Sequence, residues 1–185
     1  MEPIEQLSYI LPTLNATVDR IQTMQMDDPT PCSNFTVRGV LDHMMVLGGM
    51  FAYQFRGEVA PEQEAPGVYD RVPAAEFRVL MDDLLDAVKS PGAMGRTIAT
   101  PMGEMPGETF ARLVAFDGLV HGWDLASSTG QRFEVPPAVT CAVDEFARGA
   151  LTSEMRDGDT FKDETTAPED ASRLERLVAF SGRSL

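Results

Sequence analysis

Apolar residues three and four positions apart recur along this chain, and that spacing restricts it to helices before any other feature is weighed. Ile4, Leu7, Leu11, Leu14, Val18 and Ile21 make the first stripe, the period of one helix face rather than of a strand. Pro12 falls off this stripe and either kinks the helix or sits near its start. A loop of turn formers, DDPTPCSNF, spans 27–35. Asn34 or Thr36 then caps a second stripe of Val37, Val40, Leu41, Met44, Leu47 and Phe51. Residues 57–73 form a long loop with Pro61, Pro66 and Pro73. A third stripe runs Phe77, Leu80, Met81, Leu84, Leu85 and Val88, ended by SPGAMG at 90–95. The stretch 97–107 holds β-branched residues, Gly103 and two prolines, and reads as an extended or hairpin-like connector. A fourth helix covers roughly 108–128 and stops before Gly130. Pro136 and Pro137 introduce a fifth pattern of Val139, Val143, Phe146 and Ala150. The acidic stretch 157–170 reads as loop, and a short last helix carries Leu174, Leu177 and Val178. The expected fold is all-α: a four-helix bundle over 1–130, with a helical extension over 131–185 packed on it, one domain overall.

The fourth helix breaks its own stripe. It runs Phe110, Leu113, Val114, then Asp117, then Val120 and His121, then Asp124. Asp117 and His121 stand at i and i+4, on one face and about 6 Å apart along the axis; Asp124 follows at i+7. A buried carboxylate without a partner costs several kcal/mol, and a divalent cation satisfies all three groups together. The only other histidine, His43, lies within the second helix near the edge of its stripe. Inward side chains from two helices packed about 8–10 Å apart can meet at one ion. A site of His43, Asp117 and His121 has three protein ligands. That leaves a position open for water or substrate, as in catalytic zinc sites. Asp124 holds the ring of a ligating histidine from behind, or binds the ion itself. The plainer alternative is a metal-free bundle in which Asp117 and His121 form a buried hydrogen-bonded pair.

Charge narrows the partners. The chain has 185 residues and a formal net charge of −14. Such a surface repels nucleic-acid phosphates and anionic lipid headgroups, so neither nucleic acid nor membrane is an expected partner. No run approaches the roughly 20 apolar residues of a membrane helix, and the N-terminus lacks the basic region of a signal peptide. Cys32 and Cys141 lie far apart, a pattern of reduced thiols in a cytoplasm rather than a disulfide framework.

Three segments carry a resemblance. TPCSNFTVRGVLDHMM (30–45), TPMGEMPGETF (100–110) and LVHGWDLASSTGQ (119–131) resemble the mycothiol-dependent maleylpyruvate isomerase type within the DinB-like superfamily. RLVAFSGR (176–183) is similar to the end of small single-domain actinobacterial members. The resemblance implies an up-down-down-up four-helix bundle and a divalent metal, zinc or nickel, held by two histidines and a third ligand. His43 matches the first histidine, and Asp117 and His121 match the carboxylate–histidine pair of the last bundle helix. The characterised isomerase carries Glu at the position of Asp117. The shorter Asp implies an ion drawn closer to the helix, or one bound through water. The isomerase's C-terminal domain, which contributes to its active site, has too few counterpart residues here.

The resemblance further implies mycothiol, a low-molecular-weight thiol, as cosubstrate. A metal-bound thiol ionises at neutral pH and adds to a small-molecule electrophile in a transfer, isomerisation or detoxification. In that reaction Asp124 orients a ligand or takes a proton. The rival is a non-catalytic metal-binding bundle, with a homodimer one arrangement open to it. Two histidines and one carboxylate also match the facial triad of non-haem iron oxygenases, usually built on a β-barrel. Elsewhere the bland readings are preferred. Cys32, before the second helix, is read as a small residue under a loop, and Cys141 as packing. Trp123 faces another side of its helix; Met44, Met45 and Met50 are helix core; Arg38 and Arg112 are surface residues.

Overall fold

The computed structural model describes residues 1–61, 70–101, 103–156 and 161–185. Among them the chain forms α1 (Pro3–Val18), α2 (Val37–Arg56), α3 (Ala74–Val88), β1 (Thr97–Thr100), β2 (Gly103–Pro106), α4 (Gly107–Ser128), α5 (Pro137–Ala150) and α6 (Arg173–Phe180). The all-α expectation holds, and the connector is an antiparallel hairpin with Ile98 opposite Met105. No helix among the described residues is long and apolar enough to cross a membrane.

Contacts at the helix ends set the directions. Arg96, just before β1, donates from Nε to the Phe55 carbonyl at 3.1 Å, and its own carbonyl accepts the Gly107 N–H at 2.7 Å. The C-terminus of α2 and the N-terminus of α4 therefore meet at one end. The short turn Ala93–Gly95 brings the C-terminus of α3 to the same end. At that end too, Arg112 donates to the Met1 carbonyl at 3.4 Å. At the opposite end Gln131, just past α4, donates to the Thr17 carbonyl near the end of α1 at 3.1 Å. Helices α1 and α4 thus run one way and α2 and α3 the other, the up-down-down-up order of a DinB-like bundle. Each of α1 and α2 packs against both α3 and α4. Because α2 and α3 are parallel neighbours, the chain between them must return along the whole bundle, about 22 Å for a helix of α3's length. That is the physical reason for the long loop over 57–73, of which 62–69, including Pro66, lie outside the described residues.

The stripes of α1 to α3 bury most of the residues expected of them; in α5 Val139 and Val143 are buried, while Phe146 and Ala150 are half-buried. Leu7, Ile10, Leu11 and Leu14 of α1 meet Phe77, Met81 and Leu84 of α3 and Leu119 of α4 in one continuous core. Thr36 caps α2, its side chain accepting the Gly39 N–H at 3.3 Å. Gly57, at φ 73°, ends the helix in the left-handed region that glycine tolerates best. Two local expectations shift. Helix α1 stops at Val18, and Ile21 buries itself from the following turn rather than from the helix. Pro12 lies inside α1 with its ring exposed, not at the start.

Helix α4 differs from the others. It is enclosed by α1 and α2 on one side and by α5 and α6 on the other, so apolar residues occur almost all round it. The segment 161–168 is irregular, as expected of the acidic stretch. It is tied back by Phe161, whose ring stacks on Phe116 of α4 with centroids 5.7 Å apart.

Candidate metal centre

His43 lies on the second turn of α2; Asp117 lies at the middle of α4, with His121 and Asp124 about one and two turns further on. Packing α2 against α4 brings the two imidazoles face to edge, with ring centroids 5.0 Å apart. Asp117 sits between them. Its Oδ1 is 3.5 Å from His121 Nε2 and 3.8 Å from His43 Nε2. All three donor atoms lie within 4.8 Å of one another. Ligands held at 2.0–2.2 Å around a tetrahedral ion stand about 3.3–3.6 Å apart. The two distances to Asp117 are therefore near those a bound cation needs, and the donor set of two imidazoles and a carboxylate fits a divalent ion.

The environment is graded. His121 is 5% exposed and Asp124 wholly buried. The side chains of His43 and Asp117 keep 28% and 37% of their surface, so the group opens outward on that side. Partial burial pushes the Asp117 carboxyl up. The charges of His121, His43 and Arg183 outweigh this and hold it below its ordinary value. Asp117 thus stays a carboxylate, the form a cation requires. Phe35, in the loop before α2, forms an apolar wall, its ring 5.2 Å from His43 and 6.2 Å from His121.

Asp124 stands behind His121. Its Oδ2 is 3.0 Å from His121 Nδ1. When Nδ1 donates to this carboxylate, Nε2 is the ring nitrogen left facing Asp117. The carboxylate's other oxygen, Oδ1, is buried and without a protein partner. The pairing of Asp117 with His121 that the metal-free alternative envisaged is the longer contact, and the short one is to Asp124.

Two residues near the site were not singled out for it from the sequence. Arg183, 7% exposed, donates from Nε and Nη2 to Asp124 Oδ2 at 3.4 and 3.2 Å. Its signal in the sequence was its place at the end of RLVAFSGR, separated by two residues from the apolar run LVAF. Cys32 is half-buried under its loop, as expected, but its Sγ also comes within 4.8 Å of donor atoms of His121 and Asp124. Burial pushes the Cys32 thiol up, with Arg183 opposing and Asp124 and Asp117 adding to the rise. The remaining residues take bland places. Arg38 pairs with Asp27 and Arg112 with Glu108. Met44 is buried, and Met45 packs against the core. Cys141 accepts from Arg173 Nη1 at 2.8 Å. Trp123 points away from the histidines and lines a cleft of about 700 Å³ between α4, α5 and the start of α6.

A family model described as the mycothiol maleylpyruvate isomerase N-terminal domain matches residues 10–126. The chain belongs to this family. The matched span reaches from α1 to α4 and includes His43, Asp117, His121 and Asp124. Arg183 and both later helices lie outside it. Two uncharacterized proteins from two strains of Mycobacterium tuberculosis are each 30% identical over 186 residues, covering all of this chain and all of their own length. No solved structure matches.

Proposed function

We propose that this member of the mycothiol maleylpyruvate isomerase N-terminal domain family is a metal-dependent enzyme. It would use a low-molecular-weight thiol, mycothiol by family, to attack a small electrophile in a transfer or isomerisation. One observation carries the reading: a ring nitrogen from each of two histidines on different helices and one carboxylate oxygen converge within 4.8 Å. In this reading His43, His121 and Asp117 hold the ion, zinc by the chemistry of the donors or nickel. A bound divalent cation lowers the pKa of a coordinated thiol, so that a thiolate is present at neutral pH. Of the two roles expected for Asp124, we assign it the first, holding the His121 ring, because its buried oxygen already meets Nδ1 and a guanidinium. Phe35 shields the imidazoles from water on one side. The partly exposed face of His43 and Asp117 admits thiol and electrophile. We place the protein in the cytoplasm, where Cys32 and Cys141, both free, remain reduced.

Elemental analysis of protein purified without a polyhistidine tag tests the site, alongside His43→Ala and His121→Ala. Near-stoichiometric metal in the parent and its loss in both variants is the expected result. Full metal retention in the double variant removes the site. Thiol-dependent consumption of an electrophile panel then tests the chemistry. Metal binding with no turnover on any member would make the protein a non-catalytic metal-binding bundle.

A further inference from the structure

Fifty-nine positions beyond Asp124, and outside the span shared with the family, Arg183 is packed against the back of the histidine cluster. We propose that Arg183 is a positioning residue for His121, acting through Asp124. The proposal rests on the reading of His43, Asp117 and His121 as metal ligands.

The argument is one of hydrogen-bond direction. A single oxygen, Asp124 Oδ2, meets Arg183 Nε, Arg183 Nη2 and His121 Nδ1 at 3.4, 3.2 and 3.0 Å. A guanidinium only donates and does not lose its charge. An oxygen already taking two such donors acts as an acceptor toward the third group as well. His121 then donates from Nδ1, which leaves Nε2, on the side of Asp117 and His43, as the nitrogen available to an ion. Without Arg183 the buried pair His121–Asp124 loses that constraint. The same guanidinium bears on Cys32. Cys32, His121 and Asp124 have donor atoms at metal-like spacing, but a fixed positive charge already lies against Asp124. It opposes a second cation there and leaves the Nε2 side as the one place for an ion.

Arg183 is built into position rather than dangling. Gly182 turns the chain at φ 93°, and a Cβ there would stand 2.8 Å from the Lys162 carbonyl oxygen. The Thr165 N–H bonds the Ala179 carbonyl at 3.0 Å, and the Thr165 hydroxyl bonds the carbonyl of Arg183. Arg156 donates to the Phe180 carbonyl at 2.9 Å and lies over the Phe180 ring. Arg183 Nη1 meets the Ser181 carbonyl and hydroxyl at 3.4 Å. The segment after α5 therefore delivers one guanidinium to one carboxylate.

The chain's two histidines make the test direct. Imidazole nitrogen NMR on the metal-free protein should show a proton on His121 Nδ1 held in a hydrogen bond to Asp124. Arg183→Met should abolish that state, and Arg183→Lys should restore it in part. A chelator competition with zinc should show affinity about 10–100-fold weaker in Arg183→Met, the range for groups that orient a ligand. Arg183→Lys should fall between. A folded Arg183→Met protein with an unchanged His121 tautomer and zinc affinity within twofold of the parent would overturn the proposal. Should Arg183→Met not fold, Arg183→Lys and Asp124→Asn decide it. Unchanged tautomer and affinity in both overturns it; a graded loss, larger in Asp124→Asn, supports it. A parent protein that binds no zinc sinks the metal reading instead, while the tautomer comparison still decides what Arg183 does to His121.

Discussion

The two ends of the helical bundle are made from the same four helices and are filled by opposite chemistry. At the hairpin end, Phe110 from the first turn of α4 meets Phe51 and Phe55 of α2, with ring centroids 4.8 and 5.3 Å away. Ile98 of the hairpin is buried there as well. At the other end, the start of α2 and the later turns of α4 bring together His43, Asp117, His121 and Asp124, and the segment after α6 adds Arg183. The apolar end gains from area removed from water, which is roughly additive and tolerant of detail. The polar end gains only while every partner is in place, because a buried charge left alone costs more than the pair contributes. Stability at one end is therefore a matter of volume, and at the other a matter of matched donors and acceptors.

The contrast is broken most severely by two substitutions of similar stability cost and different consequence. Phe55→Ala, at a fully buried position, should destabilise by about 3–5 kcal/mol in urea unfolding while the folded fraction still binds metal. Asp124→Ala should cost a similar ~3–5 kcal/mol by leaving Arg183 buried and unpaired, and should weaken metal binding as well. Equal metal affinity in the two variants would contradict the distinction between the ends. Removing the ion itself comes next. Zinc at 100 times its dissociation constant should stabilise the protein by about 2.7 kcal/mol, seen as a chelator-reversible rise in melting temperature. That rise should persist in Phe55→Ala and vanish in His121→Ala.

Smaller effects sharpen the same comparison at α6, which anchors the segment carrying Arg183. Ser172 caps α6, accepting the Glu175 N–H at 3.2 Å while Glu175 accepts the Ser172 N–H at 2.7 Å. Ser172→Ala should cost about 1 kcal/mol. The hydrogen bonds from Ser172 hold the Glu175 carboxyl below its ordinary value. A lowered folded-state value means this contribution is complete above the ordinary glutamate range and fades as pH falls through the folded value. Glu175→Gln should flatten that part of the acid limb of a stability–pH curve. An acid limb identical to the parent's would show that the cap contributes nothing.

Much of this was legible in the residues. The stripes located all four bundle helices, since burying one face of a helix demands apolar residues every three or four positions. The polar breaks at Asp117, His121 and Asp124 were legible for the same reason: groups so costly to bury stand out on a face that must be buried. Ile21 falls in the first stripe because it is apolar and buried, although α1 has already ended at Val18. The breadth of α4's apolar surface was unreadable until α5 and α6 were seen to cover its outer side.

Local spacing alone determined that an imidazole and two carboxylates share one face of α4, because the helical period allows no other arrangement. Tertiary structure decided the rest: that His43 faces them from α2, that Asp124 takes Nδ1 and leaves Nε2 toward Asp117, and that Arg183 reaches Asp124. Charge pairing across 59 residues depends on where a chain returns in space, and no periodicity encodes that return.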